Sequence, residues 1–176
     1  YNRLFIKKGI NRFPCDDSVK KVLLETSSPI SAYFNERPRS IIHGNFHPGN
    51  VMQGEQYCVI DFGDMCMAFD TFGIEQFISG MKINSADRTE LYRGCYQFDP
   101  LLRKEKTFRK DCLMGAVFIS PWLAGRAYNY KEGNPENHQI SSLISLDMLF
   151  DDSLLNSYER ENLQEFRNAF ASVQFN

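Results

Sequence analysis

The stretch that most constrains this 176-residue chain runs from Ser40 to Asp70: SIIHGNFHPGN, VMQGEQYCV, IDFGDMCMAFD. Ser40-Ile41-Ile42 is apolar and β-branched, the pattern of a short buried strand that delivers His43 to a loop. His43 to Asn50 holds two Gly, one Pro and two Asn, which is loop chemistry. Val51-Met52-Gln53 and Tyr57-Cys58-Val59-Ile60 flank Gly54-Glu55-Gln56, the signature of a hairpin with a three-residue turn. Strand, loop, hairpin and the acidic corner that follows are expected to bring Asn45, Asn50 and Asp61 to one edge of a small sheet.

Such an edge suits a divalent metal and phosphate. Magnesium takes oxygen ligands, commonly one or two from protein carboxylate or amide and the rest from phosphates and water. The Asn50 amide and the Asp61 carboxylate form such a pair. Taken singly, Asn and Gly make turns and Asp caps a helix; the ordered string carries the chemical reading.

That string, HGNFHPGN followed by VIDFGD, resembles the catalytic loop and metal-binding motif of the aminoglycoside phosphotransferase and choline kinase family, whose fold is similar to that of protein kinases. The family pattern is His-Gly-Asp, four residues, Asn, then an apolar strand ending in Ile-Asp. His43, Gly44, Asn50, Ile60 and Asp61 match it, with His47 in the intervening run. The IDFGDM form also resembles the hydroxylysine kinase branch. HPGN before DFG is similar to the UbiB kinase-like family too, but His43-Gly44 ahead of the loop favours the phosphotransferase resemblance. The resemblance implies ATP as co-substrate, Mg²⁺ held by Asn50 and Asp61, and Asp61 as the counterpart of the kinase DFG aspartate. It places His43 and Asn45 in the catalytic loop and makes Asp64 a second metal contact or an acceptor-amine contact.

Two departures matter. Position 45, where the family has its catalytic aspartate, is Asn; a carboxylate can take a hydroxyl proton, whereas an amide can only orient the hydroxyl. The family also carries an aspartate about one turn into the next helix, where this chain reads Phe72-Gly73-Ile74.

Length and composition bound the rest. A chain this long buries most of its apolar surface, and a single domain spanning 1–176 is expected. Hydrophobic and charged fractions of 43% and 24% are those of a globular protein. A net charge of −2 gives no basic footprint for nucleic acid or an anionic membrane. Five scattered cysteines without a CxxC read as reduced thiols, and with no apolar run of membrane length the expected location is the cytoplasm.

Arg3 to Lys7 reads as a strand, and Lys7 or Lys8 is a candidate for a phosphate-holding strand lysine; a solvated lysine is the stronger reading. About three dozen residues separate Lys7 from His43, and no glycine-rich phosphate motif occurs in the chain. The chain starts at Tyr1 without Met. The expectation is therefore a C-terminal lobe, or a piece of a longer protein, without its N-terminal nucleotide lobe. Helices are expected over about Ser18 to Thr26, capped by Asp17 or Ser18, and in a short segment ending near Phe34. Others follow over Asp70 to Met81 and from a cap at Ser85 or Asp87 through Tyr96, with a break at Asp99-Pro100. Lys104, Lys106, Arg109 and Lys110 read as a solvated basic face. Cys112 to Tyr128 reads as the central buried helix, bent near Pro121, with Phe77 and Trp122 in the core. Tyr130 to Asn137 reads as a loop. Helices over Ile140 to Phe150 and Leu154 to Phe175 close the fold, the second with Leu163, Phe166, Phe170 and Val173 on one face.

The expected fold is thus a mainly helical α+β domain resembling the C-terminal lobe of the kinase-like phosphotransferases, with a small hairpin sheet. The expected function is phosphoryl transfer from ATP to a hydroxyl of a small molecule. The alternative is a non-catalytic, pseudokinase-like or truncated lobe that acts as a binding module, which the expected lack of a nucleotide lobe and Asn45 both favour.

Overall fold

The computed structural model describes residues 7–175 apart from 80, 82, 83, 100 and 132. Helix α1 (Asp17–Thr26) starts after Asp16, one residue earlier than the sequence suggests, with Asp17 at the favourable positive end. Neither Asp17 nor Ser18 is its cap. It passes directly into α2 (Ser28–Asn35), where Pro29 occupies the first turn and loses no intrahelical bond there.

The motif stretch forms two antiparallel ribbons rather than one small sheet. β1 (Ser40–Ile42) pairs with β4 (Cys66–Ala68), Ile41 opposite Met67. β2 (Val51–Gln53) pairs with β3 (Tyr57–Val59), closed by the three-residue turn read from the sequence. β4 is the unforeseen strand: its Cys-Met-Ala follows an acidic corner that reads as a helix approach.

Helix α3 (Thr71–Ser79) leaves that corner, its first N–H bonded by the Asp70 carboxylate at 2.9 Å. α4 (Ser85–Gln97) is capped by Asn84, whose side chain accepts from Asp87 N at 2.9 Å, so neither Ser85 nor Asp87 is the cap. α5 (Glu105–Tyr130) is longer than read at both ends and stays α-helical through Pro121. The Ser120 hydroxyl donates to Ala116 O beside that proline. The loop expected over 130–137 shrinks to four residues, because Lys131 ends α5 in the left-handed region and Asn134 caps α6 (Pro135–Leu149). α7 (Ser157–Ala171) opens on a capping box formed by Asn156 and Glu159, which starts it later than the Leu154 expected.

α5 is the axis of the core. α6 and α3 pack along it, and α7 lies on α1. Phe34, Phe69, Phe72 and Phe118 form an aromatic cluster beneath the β1–β4 ribbon, Phe34 stacked on Phe69 at 3.5 Å. Leu163, Phe166, Phe170 and Val173 are buried together, as their spacing indicates. Phe77 and Trp122 do not join the buried set. Both are half-buried: Phe77 stacks on Phe46 at 4.6 Å, and Trp122 borders the core under the Arg12 guanidinium.

Residues 7–10 are helical, with Lys7 and Lys8 exposed, so neither is a strand lysine; residues 1–6 lie outside the described ones. This turn sits hard against α5. A Cβ on Gly9 would come within 2.5 Å of Pro121 C, and one on Gly125 within 2.5 Å of Gly9 O. The basic face is split: Lys104 and Lys106 are exposed, Lys110 Nζ binds both Glu159 oxygens at 2.8 Å, and Arg109 lies 3.7 Å from Asp151.

Candidate functional site

The site lies where the loop after β1 meets the base of the β2–β3 hairpin. Pro48–Asn50 makes a single 3₁₀ turn, with His47 Nδ1 accepting from Gly49 N at 3.1 Å. That turn buries Asn50 to 6% exposure. Its Nδ2 donates to Asn45 O at 2.9 Å, and its backbone carbonyl accepts from Ile60 N at 2.9 Å. The amide is thereby fixed, with Oδ1 as its remaining ligand-capable atom.

His43 braces the same junction. Ile60 O can only accept, so the 2.8 Å contact assigns the proton to Nε2, and Nδ1 faces Asn45 N at 3.4 Å. Phe62 and Phe46 flank the ring at 4.8 and 5.8 Å. Both ring nitrogens of His43 are therefore engaged by backbone, which suits positioning better than proton transfer.

Asp61 follows Ile60 in left-handed backbone, φ 63° and ψ 59°, a region that Asp tolerates better than most residues. Its carboxylate makes no capping bond to the Phe62–Asp64 turn. A non-Gly residue held there turns its side chain off the strand direction, a feature common at functional sites. Asp61 and Asp64 are exposed, and Asn45 is half-buried.

Gly44 (φ 78°) joins the two halves of the motif. A Cβ built on it would fall 1.9 Å from Asp64 O. Loop and acidic corner thus touch backbone to backbone, and only glycine permits the approach. The loop that carries Asn45 and Asn50 meets the corner that carries Asp61 and Asp64 at this junction.

The sequence reading missed Gln76. This residue of α3, 5% exposed, accepts from Phe46 N at 3.0 Å and donates to Gly44 O at 3.3 Å, clamping the loop from below. The signal was there: Glu75-Gln76 is a polar pair inside an otherwise apolar helix. Arg103 was missed too. It binds Asp70, Asp99 and Asp111 at 2.6, 2.7 and 3.1 Å, so Asp70 serves to tether the corner. Burial works against the Arg103 charge, but the bonds to Asp99 and Asp70 outweigh it and hold its pKa above the usual arginine range.

Among the described residues, no three His, Cys, Asp or Glu side chains converge as an all-protein metal cage. Magnesium does not require one, since nucleotide phosphates and water supply most of its ligands. A fixed amide oxygen at Asn50 beside an uncommitted Asp61 carboxylate fits that ion. Around the site Ile41, Met52, Tyr57, Phe62, Met65 and Met67 are all at least half exposed. A cavity of about 480 Å³ opens beside it, lined by Gly44, Asp64 and Phe69 and by Phe118 and Trp122 of α5.

No helix among the described residues is long and apolar enough to cross a membrane. No curated protein and no solved structure matches the chain. Residues 15–69, the span from before α1 to just past β4 that carries every one of these motif residues, match the phosphotransferase enzyme family, the aminoglycoside phosphotransferase-like group of the protein-kinase-like fold.

Proposed function

We propose that the chain is the acceptor-side lobe of a kinase-like phosphotransferase, transferring the γ-phosphoryl group of ATP to a hydroxyl of a small molecule. The observation that carries this reading is the locked junction: Ile60 N donates to Asn50 O and His43 Nε2 donates to Ile60 O, which hold Asn50 against the residue that precedes Asp61. Asn50 Oδ1 and the Asp61 carboxylate would hold Mg²⁺, which supplies charge neutralisation at the nucleotide phosphates. Asn45 orients the acceptor hydroxyl through its amide. Asp64 stands at the cavity wall as a second metal contact or a contact for an acceptor amine. His43, Gly44 and Gln76 set the loop geometry. Phosphoryl transfer is mostly positioning and electrostatics, so an amide at position 45 slows the reaction by about 10²–10⁴-fold relative to a base without abolishing it. The apolar side chains exposed around the site are what an ATP-covering lobe would bury, which supports a nucleotide lobe as the missing partner.

A second reading, a non-catalytic binding module of the same fold, is favoured by Asn45 alone. Manganese titration by relaxation tests the metal site: Asp61→Ala is expected to lose binding, and equal binding by both proteins removes the site. Asn45→Asp, assayed with a nucleotide lobe supplied, is expected to raise ATP turnover. No turnover in either form, with manganese binding intact, selects the binding-module reading.

A further inference from the structure

Arg88 is an anomaly that the phosphotransferase reading does not use. It lies on α4 at 1% exposure, and arginine is almost never buried that deeply unless an anion pairs with it. Its Nη1 donates to Ser145 Oγ at 2.9 Å and its Nη2 to Ser141 Oγ at 2.7 Å, both neutral hydroxyls of α6. Its Nε has no partner among the described residues. Among the described residues no carboxylate forms an ion pair with it. The nearest candidate, Glu75, acts on it only from a distance and accepts the Tyr92 hydroxyl at 2.7 Å.

Arg88 lines a cavity of about 570 Å³ between the end of α3, the start of α4 and the first turns of α6. A second orphan lies in the same wall: His138 Nδ1 is buried with no hydrogen-bond partner. Asn137, Ser79 and Ser141 add neutral polar groups, and among the described residues no Asp or Glu lines the cavity. The first turn of α6 also contributes the positive end of its dipole. Asp87 and Glu136, the acidic residues beside Arg88 and Asn137 in sequence, are exposed and outside the lining.

We propose that this cavity is a binding site for a small phosphate-type oxyanion, held by the Arg88 guanidinium, His138 Nδ1–H and the Asn137 amide. Two orphaned buried nitrogens, one of them on a cation with no ion-pair partner among the described residues, share one cavity whose described lining holds no carboxylate. That combination calls for an acceptor with several oxygens and negative charge. The site is separate from the Asn50–Asp61 junction and stands whether or not that junction binds metal.

The test is a titration of the intact chain with inorganic phosphate at constant ionic strength, reading the imidazole signals of its three histidines and the melting temperature. Saturable movement of the His138 signals, a higher His138 pKa and a raised melting temperature are expected. Chloride and acetate at equal concentration are expected to do neither. Asn137→Asp sets a carboxylate at an exposed position of the wall, where the fold tolerates it, and is expected to weaken phosphate about tenfold or more. His138→Gln is a second variant, expected to weaken phosphate without unfolding the chain. Absence of saturable binding with a Kd of about 10 mM or tighter overturns the proposal. So does movement confined to His43 and His47, an equal response to acetate or chloride, or unchanged phosphate affinity in both variants.

Discussion

Glu75 offers the sharpest test of the packing described for α3. It is 3% exposed, and burial raises its pKa from 4.5 to about 7 against the lowering effects of the Tyr92 hydroxyl, Arg88 and Ser145. The folded chain therefore holds a proton that the unfolded chain releases between about pH 4.5 and 7. Stability contributed by the neutral carboxyl is complete below the lower value, falls as pH rises through the window and is gone above it. A rise from 4.5 to about 7, at about 1.4 kcal/mol per pH unit, corresponds to about 3 kcal/mol. His138 works the other way, because burial lowers its pKa and folding loses stability as pH falls through 6.5 and below. Burial keeps Tyr92, Cys95 and Cys112, which also sense Glu75, neutral throughout. The wild-type curve thus mixes two opposed slopes, and the difference from Glu75→Gln isolates one. Glutamine keeps an oxygen for the Tyr92 hydroxyl and cannot ionise. At about 2–4 °C per kcal/mol for a chain of this size, the melting temperature of wild type relative to Glu75→Gln should drop by about 6–12 °C between about pH 5 and pH 8. Thermal melts of both proteins across that range decide it. A difference that stays constant with pH would refute a carboxyl titrating near neutrality in this core.

Gly44→Ala forces a left-handed alanine, about 1–2 kcal/mol, into Asp64 O; a lowered melting temperature with loss of manganese binding is expected, and wild-type values for both would show that loop and corner do not touch. Gln76→Ala removes both bonds of the loop clamp and should cost about 1–3 kcal/mol, with faster amide exchange at Phe46 as the local readout. Arg103→Met leaves Asp70 and Asp99 without their cation, while Asp111 keeps Arg37 at 3.1 Å, and should cost about 3–5 kcal/mol near neutral pH. The Asp99 pKa is depressed, its bonds to Arg103 outweighing the opposing effect of burial. The stability this supplies is present above the unfolded value of 3.8 and is lost as pH falls through the folded one, so acid melts of wild type and variant should converge.

The local elements were legible because they announce themselves in short-range chemistry. The Ser40–Ile42 strand and the Gly54-Glu55-Gln56 turn fall where apolar and turn residues place them, although the strand is not buried throughout, Ile41 being 66% exposed. Asn50 lies against Ile60 because a hairpin of that length must return its chain. What escaped depends on contacts far apart in sequence. β4 becomes a strand only because β1 lies ready to pair with it, and nothing in Cys66-Met67-Ala68 alone says so. Phe77 reads as core on a helical wheel, yet its helix turns that position toward Phe46 and the loop. The Arg103 cluster joins carboxylates from three elements, and no spacing rule links positions 70, 99 and 111.

The two ribbons have a consequence for how the chain behaves in a test tube. Among the described residues each has two strands, so each leaves backbone donors and acceptors open along its outer edges there, among methionine and aromatic side chains that face solvent. Natural sheets blunt such edges with charge, proline or a covering element, and β2 and β3 carry no Lys, Arg or Pro. Held bare and concentrated, this face should act as an adhesive. Light scattering should rise with protein concentration, and Tyr57→Lys on the exposed strand should suppress it while leaving the melting temperature unchanged.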